Sequence, residues 1–275
     1  MARIRRSAQP IEGPRAYAVD DVELARLQER ELVHWRENPH ERPESDSIFT
    51  IINKFGDAII LFDLLRRYGP VFERAGSMLE LGAGQGWASC IVKHLFPNAR
   101  VTVTDISADA LAGVPKWERI FGVQVDEVRA CRSYEIGAPD GSVDLIFCFA
   151  SAHHFVAHRR TLAEISRVLA PGGDALYLFE VACRPFAHRW AKRRLNKMRP
   201  AVPEDVLVYD NIAALARGLG LDCTVDFYPT LLRRRPLETI YYATLRAIPP
   251  LQRLLPCTIN LRFSKPTRTA PLEES

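Results

Sequence analysis

Short apolar runs alternate with helically spaced segments through the middle of the chain. Residues 77–81 (SMLEL), 100–105 (RVTVTD), 123–128 (VQVDEV), 143–149 (VDLIFCF) and 175–180 (ALYLFE) are brief and rich in β-branched and aromatic side chains, the pattern of strands. Between them, residues 87–96, 108–121 and 158–169 place apolar side chains at helical intervals. Nearly continuous apolar strands separated by helices are strands of a parallel sheet covered on both faces. Right-handed crossovers then make that sheet doubly wound. A further helix at 209–219 and strands at 222–228 and 258–263 bring the total to seven strands. No clean crossover helix joins the last two, so they are expected to include an antiparallel pair. The fold class is α/β, a doubly wound, mainly parallel seven-stranded sheet.

The flanks read differently. Residues 1–19 are rich in Arg and Pro and resemble a mobile arm. A helix starts where Asp20 or Asp21 can cap it, with Leu24, Leu27, Leu32 and Trp35 at roughly helical spacing. Residues 38–46 (NPHERPESD) form a polar turn, and a second, strongly apolar helix at 48–68 stops at Gly69-Pro70. Residues 20–76 are therefore an N-terminal helical cap on a main domain spanning 77–265. Two segments, 184–208 and 230–256, interrupt the strand-helix alternation as insertions, and 266–275 is a tail.

Composition adds limits. A chain of 275 residues and 31.1 kDa accommodates one large domain with an appendage. No run reaches the ~20 apolar residues that span a bilayer, and no apolar segment follows the basic start as in a secretory signal. The six cysteines lie far apart with no CxxC pair, several within apolar runs, which reads as buried thiols in a reducing, cytoplasmic setting rather than disulfides or a zinc site. The net charge of +4 is unevenly spread. Residues 184–199 carry seven basic side chains and no acid, and residues 231–262 carry six arginines and one glutamate. An acidic body with two basic segments points to a local anion site rather than general nucleic-acid binding.

The sharpest chemical signal is Glu80-Leu-Gly-Ala-Gly-Gln-Gly86, between the first strand and the helix that follows. Glycines at alternate positions turn the backbone tightly and let a ligand approach the main chain. The helix start offers free N–H groups to polar ligand atoms. A dinucleotide fingerprint would need a small residue at position 87, where Trp87 stands, so NAD and FAD are disfavoured. An acidic residue before the first glycine suits an ammonium group better than a pyrophosphate. Asp105, 19 residues past Gly86 at the end of the second strand, is placed to accept hydrogen bonds from a ribose diol.

Taken together, Glu80-x-Gly82-x-Gly84-x-Gly86, Asp105, residues 144–149 and the segment Glu164-Ile-Ser-Arg-Val-Leu-Ala-Pro-Gly-Gly173 resemble the class I S-adenosylmethionine-dependent methyltransferases, closest to their small-molecule, type 11 group. The resemblance covers residues 77–180 well and the rest by topology. It implies that Gly82, Ala83, Gly84 and Gly86 border the methionine part of S-adenosylmethionine, that Glu80 holds its amino group directly or through water, and that Asp105 binds the ribose hydroxyls. Ile106 would lie on the adenine face, with Phe149 beside the cofactor. Many relatives place an acidic residue just after the third strand. Here Ala130-Cys-Arg-Ser133 stands there, and Ser133 or backbone groups are the substitutes.

Candidate acceptor chemistry is thinner. His153 and His154 follow the fourth strand at the carboxyl edge of the sheet, where open α/β folds bind ligands. Either could be a general base, with His153 preferred, or could simply pack near the cofactor. Arg189, Arg193 and Arg194 in the first insertion could grip a phosphate or carboxylate, or form a solvated helix face. Phe55 belongs to a region where a pocket lid is expected. No Asp and Asn cluster follows the fourth strand, so no metal is expected. The reaction expected is methyl transfer to an oxygen of a small, anionic or sugar-like biosynthetic intermediate. Methylation of RNA or protein, and a non-catalytic subunit that keeps the fold, are the competing readings. The second insertion could touch a membrane surface or form a homodimer contact.

Overall fold

The computed structural model describes residues 20–39, 48–198 and 204–267. The arm at 1–19, most of the polar turn and residues 268–275 of the tail fall outside them. In chain order the elements are α1 (Asp21–Glu37), α2 (Ile48–Arg67), α3 (Gly69–Glu73), β1 (Ser77–Leu81), α4 (Trp87–Leu95), β2 (Arg100–Asp105), α5 (Ala108–Leu111) and α6 (Val114–Phe121). There follow β3 (Glu127–Ala130), β4 (Val143–Phe149), α7 (His158–Val168), β5 (Leu169–Cys183), α8 (Pro185–Met198), β6 (Leu207–Val208), α9 (Tyr209–Gly218), β7 (Asp222–Phe227), α10 (Pro236–Ala247), α11 (Pro249–Gln252) and β8 (Cys257–Ser264). No described helix is long and apolar enough to cross a membrane.

The sheet runs β3-β2-β1-β4-β5-β8-β7, with β6 added beside β5. The pairs from β3 to β5 are parallel, whereas β8 is antiparallel to both β5 and β7, as expected for the last two strands. Two apolar layers cover its faces. One joins Ile60, Leu61, Leu64 and Phe72 of the cap to Ile91, Trp117, Phe147 and Leu178. The other joins Leu162 and Ile165 of α7 and Ile212 of α9 to Ile146, Tyr177, Leu261 and Phe263. Each fully buried side chain of this size contributes roughly 1.5–3 kcal/mol.

Several elements depart from the pattern reading for local reasons. The helix expected at 108–121 is two helices, because Pro115 cannot donate an intrahelical N–H and a new helix starts at Val114. The third strand starts at Glu127 rather than at 123: the Val125 N–H donates to Glu118 of α6 instead of to the sheet. The fifth strand starts at Leu169 rather than at 175, and Pro171-Gly172-Gly173 forms an irregularity inside it. Val143 pairs with Leu169, but Leu145 pairs with Asp174.

A second irregularity in β5 positions functional groups. Tyr177 pairs with Leu261 and Glu180 with Ile259, so two β5 residues face the single Asn260. Phe179 takes a left-handed φ of 59° there, and its N–H donates to Asn260 Oδ1 at 2.9 Å. Such a bulge reverses which face the following side chains occupy. It turns Glu180 toward the loop after β4.

Candidate functional site

The carboxyl ends of β1, β2 and β4 open into a cavity of about 240 Å³, roofed by α1 and flanked by α8. Its floor is the glycine loop. Gly82, Gly84 and Gly86 adopt φ of 67°, 55° and 76°, a region that side chains with a Cβ rarely enter. A Cβ on Gly82 would come within 2.9 Å of the Ser151 hydroxyl, and one on Gly84 within 3.0 Å of the Trp35 ring. Gly82, Ala83 and Gly84 line the cavity; Gly86 lies behind them, where it caps α4 and packs on Val114.

Asp105 closes β2 against this loop. Its Oδ2 accepts the Gly84 N–H and its Oδ1 the Ser107 N–H, both at 2.8 Å. These bonds, with a further one from the Ile106 N–H, fix the carboxylate at the cavity wall. Burial raises its pKa, and the backbone donors oppose that rise. Ile106, Ser133 and Phe149 line the same cavity, with Cys131 and Tyr134 beside Ser133. The Ser133 hydroxyl bonds to that of Thr161 at 2.8 Å, and Tyr134 accepts from Gln28 of α1 at 3.0 Å.

Glu80 is placed differently from expectation. It is only 2% exposed, accepts the Ser89 hydroxyl of α4, and is not among the cavity residues. Burial pushes its pKa up to about 7. A β-strand alternates its side chains, and Glu80 faces the helix layer beneath the loop. Direct contact with a cavity ligand is thereby removed from its expected roles.

The far end of the cavity holds His153 and His154, in a short 3₁₀ turn after β4. Glu180 organises this turn. Its Oε1 accepts the backbone N–H groups of Ser151 and Ala152, at 2.9 and 2.7 Å, and its Oε2 lies 2.9 Å from His153 Nδ1. A carboxylate only accepts, so Nδ1 carries a proton, and in the neutral ring Nε2 is the acceptor nitrogen. That Nε2 stands 3.9 Å from a Glu204 oxygen. His154 Nδ1 lies 3.3 Å from Glu31 of α1. Burial and the nearby Asp105 push the Glu31 pKa up to about 7, against a hydrogen bond from Trp35.

The first insertion reaches the cavity through other residues than its arginines. Lys192, Glu204 and Asp205 line it, whereas Arg189, Arg193 and Arg194 are exposed on α8. Helical phase explains the correction: His188 and Lys192, four residues apart, share the inner face and both pair with Asp205, at 2.8 and 3.2 Å. Arg194 instead lies over the Trp190 ring. Phe55 is likewise turned away, 46% exposed and against Phe121, while its neighbour Lys54 reaches the cavity. No sequence pattern marks Glu31, Glu180 or Glu204, which lie in three separate segments.

Residues 79–177 match the family model described as a methyltransferase domain. Over 168 residues, 58% of the chain, it is 31% identical to a trans-aconitate 2-methyltransferase from an Azoarcus species, covering 63% of that protein. It is 24% identical to a fatty-acid O-methyltransferase from Mycolicibacterium smegmatis, over 57% of the chain and 56% of the relative. The chain thus spans less than two thirds of the length of the curated relatives it matches. Among solved structures it resembles geranyl diphosphate C-methyltransferase from Streptomyces coelicolor, with a TM-score of 0.63 at 14% identity, over 87% of the chain and 97% of that structure.

Proposed function

We propose, from the match of residues 79–177 to the methyltransferase-domain model, that the chain transfers a methyl group from S-adenosylmethionine to an oxygen of a small molecule. The observation that supports it is one continuous cavity, with the glycine loop and Asp105 at one end and a polar cluster at the other. The residues fit the cofactor. The loop is bare where Cβ atoms would intrude, and Asp105 offers two oxygens held by backbone donors. When bound, S-adenosylmethionine supplies a sulfonium-activated methyl group.

The chain's residues then bind and align. Asp105 accepts from the ribose hydroxyls, each such bond to a charged group contributing about 1.5–3 kcal/mol. Gly82, Ala83 and Gly84 border the amino-acid portion. Ile106, Ser133 and Phe149 enclose the base. Trp35 of α1 covers the loop and excludes water, which favours a reaction that depends mainly on alignment. His153 borders the acceptor end, and Lys192, paired with Asp205, adds a cation there in place of the arginines expected from the sequence.

Two relatives are named for acids, trans-aconitate and a fatty acid, which supports an acceptor bearing a carboxylate. A carboxylate attacks as an anion and needs no general base. The test is formation of S-adenosylhomocysteine from S-adenosylmethionine in the presence of small di- and tricarboxylic acids, fatty acids and phosphorylated sugars. Turnover with a carboxylic acid, with KM raised in Lys192→Gln, is the expected result. Turnover on RNA or protein alone would replace the reading.

A further inference from the structure

We propose that His153, His154 and Glu204 form a divalent transition-metal site at the acceptor end of the cavity. One donor atom from each of the three lies within 4.8 Å of the others, and all three side chains line the cavity. Around an ion with bonds of ~2.1 Å, neighbouring ligand atoms stand roughly 3–3.5 Å apart, so the side chains would draw together by up to about 1.8 Å around it. The 3.9 Å between His153 Nε2 and Glu204 is close to that spacing and too long for a direct hydrogen bond.

The surroundings of His153 are those of a metal ligand. Glu180, fully buried, holds Nδ1 at 2.9 Å and is itself held by two backbone N–H groups. A carboxylate behind one imidazole nitrogen fixes the ring and leaves the other to coordinate. The β5 bulge exists at the position that delivers this carboxylate. Glu31 stands behind His154 in the same way, at 3.3 Å from Nδ1. The nearby Lys192 pairs with Asp205 at 3.2 Å, which offsets its positive charge.

Two imidazoles and one carboxylate suit zinc, cobalt, manganese or iron(II), whereas magnesium prefers all-oxygen ligands. A protein ligand set of three leaves positions open for an acceptor oxygen. This inference deepens the methyltransferase reading, and rests on it only for the acceptor. Glu31, Glu180 and Glu204 crowd this end with carboxyl groups, so an ion there would anchor an acidic acceptor that they would otherwise repel. Metal binding itself stands apart from turnover.

The test is titration of the chelator-stripped full chain with cobalt(II), followed by its visible d–d absorption, with metal content measured after dialysis. One equivalent should bind, be displaced by zinc(II), and resist excess magnesium(II). Glu204→Gln and His154→Gln should each weaken binding by about tenfold or more, and the exposed His94→Gln should leave it unchanged. Cobalt(II) should also protect His153 and His154 of the unsubstituted protein from diethyl pyrocarbonate, read by mass spectrometry, a measurement independent of whether either variant folds. Absence of the band, absence of protection, or equal loss in His94→Gln overturns the site. S-adenosylhomocysteine binding is measured in parallel without metal: if it persists while cobalt fails, this inference alone falls. If cobalt binds and the cofactor product does not, the methyltransferase reading falls instead.

Discussion

Glu180 Oε2 stands 2.9 Å from His153 Nδ1, and Glu180 Oε1 accepts both N–H groups of the turn that carries the histidine. One buried side chain therefore sets both the path of the loop after β4 and the direction in which His153 Nε2 points. Replacing it acts first on the acceptor end, through the turn that carries His153. Glu180→Gln places an amide N–H against the Nδ1 proton and should lower turnover by about 10–100-fold, the range for groups that orient a reacting or ligating histidine. S-adenosylhomocysteine affinity should stay unchanged. A parallel loss of cofactor affinity would mean that the substitution disturbs the whole sheet edge.

Glycine substitutions separate conformation from contact. In Gly84→Ala the added Cβ meets Trp35 at 3.0 Å and sits at a φ of 55°. Gly122→Ala has a φ of 64° with nothing within 4 Å. Both should lose about 1–2 kcal/mol of stability from the left-handed backbone. Only Gly84→Ala should also weaken cofactor binding, since only it lifts Trp35 off the loop. Thermal unfolding and calorimetric titration on the two variants provide the comparison.

Two buried groups should tilt stability in opposite directions with pH. Glu80 is held up at about 7 against an ordinary 4.5, so its protonated form is favoured by folding. Its contribution is fully present below pH 4.5 and is lost as pH rises through 7. His158 is held down at about 4 against 6.5 by burial. Its contribution is present above pH 6.5 and is lost as pH falls through 4. Each is on the order of 3 kcal/mol at its full extent. Urea unfolding of Glu80→Gln should show a smaller fall in stability across the rise from acid to neutral pH than the unsubstituted chain. Equal slopes would show that folding leaves the Glu80 carboxyl unshifted.

Much of this was legible in residue order. Alternating apolar strands and helices, the glycine loop and Asp105 are local patterns, and the structure carries them at the expected positions in β1, β2, α4 and β4. The acceptor end was not legible, because its geometry depends on features without a sequence period. Counted along β5, Glu180 shares a face with Leu176 and Leu178, and only the bulge at Phe179 sends it to the other side. In the same way, residues 184–199 reveal seven basic side chains but not the helical phase that turns Lys192 inward and Arg193 outward. Glu31 and Glu204 reach the histidines only through the placement of α1 and of the chain that follows α8.

Calorimetric titration of the purified chain with S-adenosylhomocysteine, repeated on Asp105→Ala, tests the cofactor site most directly. Micromolar binding that weakens by at least about tenfold in the variant is predicted, the loss of hydrogen bonds to one charged group. Absence of binding, or equal affinity in Asp105→Ala, would contradict a cofactor seated on the glycine loop.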